Sequence, residues 1–269
     1  MARLGVMAVL RDEQSTLDPW LRAFEEMERW CAAPVVYSFL ENDSTDATPA
    51  SLKAWMAQRP GSLMSERWGA PSLRQGRSAQ RTIALAAARN QALERLLRHP
   101  VDCVAIVDGG LKIAAAQVFR LMQQLLSRPS AAMLAASAMQ NVPDVLGEGP
   151  LSHYDSWALR DRWGRGGITF AENPLWQAID RERWRAGLPV AVNSAFGGMA
   201  VVRRSALEAS GARWDGERGC EHWAFCAQLR SVGSVLVDPL VRPLVWHADP
   251  PGWDLAYAHR IQEALQACR

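Results

Sequence analysis

No stretch of this 269-residue chain approaches the roughly 20 apolar residues needed to cross a bilayer, so any membrane contact is expected to be peripheral. The apolar run at residues 4–10 has only Arg3 ahead of it and runs straight into Arg11, Asp12 and Glu13. That is too short for a signal peptide's apolar region plus cleavage site, and it reads as a first strand. Net charge is small as well. At +2 there is no whole-molecule electrostatic case for nucleic acid. The cluster Arg67, Arg74, Arg77, Arg81 and Arg89 is the local exception, a segment that either meets a diphosphate or is simply solvated. Five cysteines, an odd count without zinc-ribbon spacing in a chain too long to need stapling, point to reduced thiols in a cytoplasmic protein. There is no glycine-rich triphosphate loop near the N-terminus, no internal repeat and no linker between separate domains. What remains is ordinary globular composition, 49% hydrophobic and 22% charged, at a length that suits one large α/β domain. Twelve tryptophans are many for this length; most should pack the core, and any excess is suited to stacking on sugar rings.

Strand and helix alternate through the first half. Strands are expected at residues 4–10, 35–40 and 102–107, with helices at 17–30, 49–57 and 80–98, which implies a parallel sheet. The second half is less regular. A helix at 115–126, a strand at 131–136, a Gly/Pro-punctuated stretch at 142–189, a strand at 195–202, a helix at 220–232 and short strands at 235–237 and 244–246 follow in turn. The irregular stretch suits an acceptor-side loop system.

Ligands collect at the carboxyl edge of open α/β sheets, so the residues ending these strands draw attention first. The strand at 35–40 ends in Glu41-Asn42-Asp43-Ser44-Thr45-Asp46-Ala47-Thr48, which puts Glu41 and Asn42 at that edge. Asp43, Ser44 and Asp46 serve equally well as turn formers and caps for the helix that follows. Asp108 ends the strand at 102–107, and a carboxylate there suits magnesium or manganese with a diphosphate completing the ligand set. His247, at the end of the last strand, is a candidate second ligand. On the helix at 80–98, Ile83, Ala86, Asn90, Leu93 and Leu97 recur at spacings of three and four, placing Asn90 on the inner stripe beside Arg89. A buried amide needs partners, either in a neighbouring loop or in a ligand. Cys220-Glu221-His222-Trp223 brings a carboxylate, an imidazole and an aromatic face into one helical turn, as acceptor activation or sugar positioning requires, although an acid there also suits the helix dipole. Residues 154–161 concentrate Tyr154, Asp155, Trp157 and Asp161, and the glycines Gly197 and Gly198 permit close backbone approach to a ligand or form a bulge.

Taken in order, ENDSTDAT, LAAARNQAL, VDGGL, YDSWALRDRWG, VNSAFGGMAVVRRSAL, CEHWAFCAQLR and VDPLVRPLVWH resemble the fungal capsule-associated α-1,3-mannosyltransferase family within the GT-A glycosyltransferases, over residues 3–248. The resemblance implies a Rossmann-like GT-A fold: a mostly parallel central sheet flanked by helices, in one domain over residues 1–269. Residues 1–112 would form the nucleotide-sugar-binding half and 113–269 the acceptor-side half. It further implies a hexose, with mannose from GDP-mannose as first choice, transferred with retention to a saccharide or glycolipid. By analogy Arg11, Glu41 and Asn42 lie near the nucleotide, and Arg89, Asn90, Gly197 and Gly198 near the donor phosphates or sugar. Asp108 and His247 hold a divalent cation, Mn2+ or Mg2+, although Gly110 stands where the usual signature has a second acid. Glu221, with Asp155, would carry catalysis, and Tyr154, Trp157, Asp161, His222 and Trp223 would face the acceptor. Fungal relatives carry an N-terminal anchor. This chain opens on a strand instead, so the expectation is a cytoplasmic enzyme, working in solution or at the inner membrane face. The competing reading is a non-catalytic nucleotide-sugar or glycan-binding protein with a degenerate site.

Overall fold

A computed structural model describes residues 2–69, 78–141, 151–168 and 173–245. The chain runs β1 (Leu4–Leu10), α1 (Gln14–Glu28), β2 (Val36–Asn42), α2 (Thr48–Met56), β3 (Gly61–Glu66), α3 (Ala79–Leu97) and β4 (Cys103–Val107). It continues through β5 (Leu111–Lys112), α4 (Ala115–Leu126), β6 (Ala131–Ala135), β7 (Met139–Asn141), β8 (Leu151–His153), α5 (Ala178–Arg185) and β9 (Val190–Val192). The remaining elements are β10 (Met199–Arg203), α6 (Arg204–Ser210), α7 (Glu221–Leu229), β11 (Ser234–Val237) and β12 (Leu244–Val245).

Eight strands form one sheet in the order β3-β2-β1-β4-β10-β6-β11-β9. β1 pairs in parallel with β2 and β4, β2 with β3, and β6 with β11, whereas β10 and β9 run against their neighbours. The sheet is therefore mostly parallel, as the alternating pattern implies. A second, four-stranded sheet, β5-β12-β7-β8, is built from segments expected as loops, apart from β12, which falls in the expected terminal strand.

Period-two side-chain alternation divides the sheet between two cores. Val6, Ala8 and Leu10 of β1, Ala105 and Val107 of β4, and Met199 and Val201 of β10 face the helices α1, α2 and α4. Met7, Ile106, Ala200 and Val202 face α3, α6 and α7 on the other side. The first core is aromatic: Trp20, Phe24, Tyr37, Phe39 and Trp55 meet edge-on, tilted or stacked. Of the tryptophans in this half, Trp20 is buried, Trp55 and Trp68 pack against the cores part-buried, and Trp30 is 40% exposed.

The main departure from expectation is the phase of α3. Its buried face is Thr82, Ala86, Arg89, Leu93 and Leu96, while Ile83 is 46% exposed and Asn90 only half-buried. An arginine fills the inner stripe where hydrophobicity placed the asparagine, because two carboxylates wait for it there. Asn90 instead clamps the segment before α7: its amide donates to Trp214 O at 2.9 Å and accepts from Trp214 N at 3.0 Å. Similarly, the expected strand at 195–202 starts only at Met199, since Gly197 and Gly198 turn with φ of 61° and 70°. Replacing Asn90 with Ala leaves two backbone groups of Trp214 without partners. Denaturant unfolding is expected to show a loss of about 1–3 kcal/mol, and a change below measurement error would mean that water replaces the clamp.

Candidate active site

β4 ends against a buried charge cluster. Arg89 reaches from α3 to bond Glu221 at the first turn of α7 and, through Nη2, Asp108 Oδ1 at 2.9 Å. Arg89 and Glu221 side chains are 6% and 4% exposed, whereas Asp108 is 31% exposed. The cluster therefore runs from the interior to the sheet edge. Asp108 is held from both sides of its backbone: its N–H donates to Gly198 O at 2.9 Å, and its carbonyl accepts from Trp20 Nε1 at 3.1 Å. The glycine after it has a steric reason. A Cβ on Gly109 would lie 2.8 Å from both the Glu13 carboxyl carbon and Leu10 Cδ2. Glu13, which no sequence pattern marked, thus helps shape the turn beside Asp108.

Burial and neighbouring charge divide the three acids. Burial pushes Asp155 up to about 6; Asp108 and Glu221 add to the rise, while the N–H groups of Ala158 and Gly197 oppose it at 3.2 and 3.1 Å. For Glu221, burial raises the pKa, but the Arg89 charge outweighs it and holds the group below its ordinary value. Burial also raises Asp108, against the pull of Arg89. Arg89 loses to burial and gains more from Asp108 and Glu221, so it stays charged.

His222 lies behind Glu221. Trp214 Nε1, which can only donate, bonds His222 Nδ1 at 3.3 Å, so the proton of the neutral ring sits on Nε2. Burial, then Arg89, pushes His222 down to about 3, which keeps the ring neutral. It stacks on Phe196 at 4.1 Å and 16°. Nε2 points toward Glu221 Oε1 at 3.6 Å.

The other expected site residues fall in several places. Glu41 is 2% exposed and spends both oxygens, one on Ser44 N at 2.9 Å and one on Ser65 Oγ at 2.5 Å. Asn42 is 4% exposed and donates to Asp43 at 3.1 Å. Both are carried on β2, which extends two residues past its expected end, so they face inward rather than standing open at the edge. Ser44, Thr45, Asp46 and Thr48 stitch this loop to the turn after β1, where Asp12 N, Glu13 N and Gln14 N donate to Ser44, Thr48 and Asp46. Arg11 approaches Asp12 at 3.7 Å and Asp43 at 4.0 Å in the same turn.

Of the residues expected to face the acceptor, Asp161 is 2% exposed, accepts from Trp163 N and Arg165 N at 2.9 Å, and pairs with the Arg165 guanidinium. It organises its own turn. Trp223 donates to Trp157 O at 3.0 Å and is covered by Arg160 at 4.0 Å, and Tyr154 N donates to Ala138 O at 2.8 Å. Gly197 donates to Asp155 and tolerates no side chain, because a Cβ would lie 2.1 Å from Ala136 O. Arg74, Arg77 and His247 lie outside the described residues. Among the described residues, no group of three or more His, Cys, Asp or Glu is arranged to hold a metal, and no helix is long and apolar enough to cross a membrane.

A mostly parallel eight-stranded sheet with one reversed central strand, an acid at the end of β4 and a second small sheet define the GT-A glycosyltransferase fold. Residues 4–229 match the family model described as Cryptococcal mannosyltransferase 1, and the chain belongs to this family of glycosyltransferases. Among solved structures it is similar to the mannosyltransferase PcManGT from Pyrobaculum calidifontis in complex with GDP-Man and Mn2+ (16% identity, TM-score 0.56), over 93% of this chain and 58% of that one. It is also similar to S. aureus TarS (12% identity, TM-score 0.51), over 87% and 35% of the two chains. TarS 1-349 in complex with UDP-GlcNAc gives 12% identity and a TM-score of 0.51 over 90% and 58%. The chain thus spans less than two thirds of the length of these structures. No curated protein matches the sequence.

The raised Asp155 has a thermodynamic consequence. Its ordinary value is 3.8 and its folded value about 6, so between these the native state holds a proton that the unfolded chain has lost. Stability contributed by this group is therefore present below about pH 4 and lost as pH rises through about 6. Asp155→Asn is expected to flatten the fall in unfolding free energy across that window. Equal slopes for the two proteins would show that Asp155 titrates normally.

Proposed function

We propose that the protein transfers a hexose, mannose from GDP-mannose, to a saccharide or glycolipid acceptor with retention of anomeric configuration. The observation that carries this reading is the Arg89–Glu221–Asp108 cluster at the carboxyl end of β4, in a chain that belongs to a mannosyltransferase family. A carboxylate kept ionised inside the protein and a second carboxylate at the cleft edge are the groups needed beside a reacting sugar and a leaving diphosphate, respectively.

Glu221, ionised and oriented by Arg89, is the group at the reacting centre, where it stabilises positive charge developing on the sugar or positions the acceptor. Asp155 fixes the Gly197 turn, which through Gly198 fixes Asp108. Asp108 Oδ2 makes no hydrogen bond among the described residues, and a hard oxygen donor fits Mg2+ or Mn2+. It is one ligand; His247, the donor phosphates and water would supply the others. Such an ion, when bound, neutralises charge on the leaving diphosphate. The remaining sequence candidates take supporting places: Arg11, Glu41, Asn42 and Asn90 on the donor side, and Tyr154, Trp157, Asp161, His222 and Trp223 toward the acceptor. The enzyme would work in the cytoplasm or at the inner membrane face.

A second reading has its own support. Arg89 is committed to two carboxylates and Glu41 to two hydroxyl or amide donors, as in a degenerate site that binds nucleotide sugars or glycans without turnover.

With Mn2+ and a panel of GDP, UDP and CDP sugars, the purified protein is expected to consume GDP-mannose fastest and to give an α-linked product. Binding without hydrolysis or transfer for every donor would favour the second reading. Asp108→Ala should abolish the part of donor affinity that depends on Mn2+, and unchanged calorimetric affinity removes Asp108 from the metal site. Glu221→Gln should lower kcat by about 100-fold or more with donor affinity kept near that of the parent; full activity would take it off the catalytic list.

A further inference from the structure

Two polar atoms in the cluster stand out. Among the described residues, Glu221 Oε2 and His222 Nε2 have no hydrogen-bond partner, although their residues are only 3% and 2% exposed. Buried polar groups are nearly always paired, and an unpaired one calls for a reason. Here the two orphans belong to neighbouring side chains that face each other. His222 Nε2 lies 3.6 Å from Glu221 Oε1, beyond a proper hydrogen bond, and Oε1 is already engaged by Arg89.

The donor on His222 is fixed by its surroundings. Trp214 Nε1 occupies Nδ1, so Nε2 carries the proton. Phe196 lies flat against the ring at 4.1 Å, and Trp214 is itself stacked on Phe225 at 4.0 Å and 3°. Asn90 pins the Trp214 backbone through both atoms of its amide. A donor held in place this firmly, a few tenths of an ångström too far from a carboxylate to bond it, suits a state in which that carboxylate is free to turn.

We propose that Arg89 and His222 are alternative partners of Glu221: when Arg89 is drawn to an anionic ligand at the β4 edge, the His222 Nε2–H takes over the Glu221 carboxylate and keeps it ionised and oriented. This rests on the nucleotide-sugar reading in one respect, that the anion is the donor diphosphate. The exchange solves a problem the static cluster leaves open. An arginine that leaves a buried carboxylate strands its charge, and a stranded charge would pull it back. A preset neutral donor removes that penalty without adding a competing cation, and so lets Arg89 serve the phosphates. His222 and Trp214 are thereby positioning residues, acting through Glu221.

Nitrogen-resolved NMR of the His222 side chain tests the idea directly. The free protein should show a neutral ring protonated at Nε2, with a proton that exchanges readily. In Arg89→Gln, and in the parent saturated with GDP and Mn2+, that proton should move downfield and its exchange should slow by about tenfold or more. His222→Gln, which retains a donor, should bind GDP within about threefold of the parent, whereas His222→Phe should bind about tenfold more weakly. A His222 proton unmoved both by GDP and in Arg89→Gln would overturn the exchange, as would equal GDP affinity in His222→Phe and the parent. Should the parent fail to bind GDP while Arg89→Gln still shifts the proton, the exchange stands and the donor assignment falls. Trp214→Phe provides an arm that needs neither nucleotide nor a cluster variant. Freed at Nδ1, His222 should become a mixture of tautomers, whereas a parent ring already protonated at Nδ1 would overturn the donor assignment on which the proposal depends.

Discussion

One buried guanidinium organises this site. Arg89 sits on α3, Glu221 lies 132 residues later on α7, and Asp108 ends β4, so a single side chain fixes three elements relative to one another. An ion pair of this kind contributes little net stability, since desolvation offsets most of the attraction. Its effect is on arrangement. Without Arg89, Glu221 would lose the cation that holds it down, and α3, α7 and the end of β4 would lose the one side chain that joins them. The same geometry separates the acids by environment: Glu221 beside the guanidinium is held down, while Asp155, which is given only backbone donors, rises to about 6. Two carboxylates of different pKa in one cluster let a single site hold both a charged and a neutral acid below about pH 6.

The acidic loop after β2 has a different task. Its side chains look like ligands in the sequence, and the structure uses most of them as stitching. Asp12 accepts from Thr45 N at 2.7 Å, Asp46 accepts from Gln14 N at 3.0 Å and Thr48 N at 2.9 Å, and Glu41 spans Ser44 and Ser65. These bonds tie the carboxyl ends of β1 and β2, and through Ser65 that of β3, into one rim. A rim of that kind keeps the edge of the sheet rigid, so a ligand would meet backbone already in place rather than a loop that must be ordered at an entropic cost.

How legible this was in the sequence depended on burial. Strands buried on both faces are continuous apolar runs, and β1, β4 and β6 fell within one residue of their expected bounds at either end. Helix α4 matched at both ends because its apolar residues keep a clean helical period. β3 was missed: Gly61-Ser62-Leu63-Met64-Ser65-Glu66 lies at the sheet margin and is largely exposed, so it carries no apolar signature. The short strands β7 and β9 are held by pairing partners far along the chain, information that no local window contains, and β8 pairs in turn with β7. Within the site, Asp108 and Glu221 were readable because each is an acid at a marked place, a strand end or a helix start. Arg89 was readable only as a neighbour of Asn90. Hydropathy ranks arginine as a surface residue and has no means of seeing that two carboxylates from distant segments neutralise it. Trp214 left no trace at all, since its part is a hydrogen bond to His222 rather than a pattern.

Charge then constrains what can bind at the β4 edge. Asp108 and Glu221 share one guanidinium, Asp155 adds a third carboxylate whose charge is felt against both, and Arg81 adds a longer-range positive field felt by Asp108, Glu221 and His222 alike. A nucleoside diphosphate brings further negative charge. It could not approach three carboxylates with only Arg89 to meet it, unless Asp155 stays protonated or additional positive charge arrives with the ligand. At pH 7 a group titrating near 6 is mostly ionised, so protonation alone falls short. A divalent cation on Asp108, or Arg81 turned toward the phosphates, would supply what is missing. The two sources make different demands on Arg89. With a cation on Asp108, that carboxylate no longer needs the guanidinium, which is then free to swing toward phosphate while Glu221 passes to its other neighbour. With Arg81 alone, Asp108 would keep Arg89 where it is. The exchange of partners at Glu221 and a cation at Asp108 therefore favour each other, although they involve opposite ends of the same side chain.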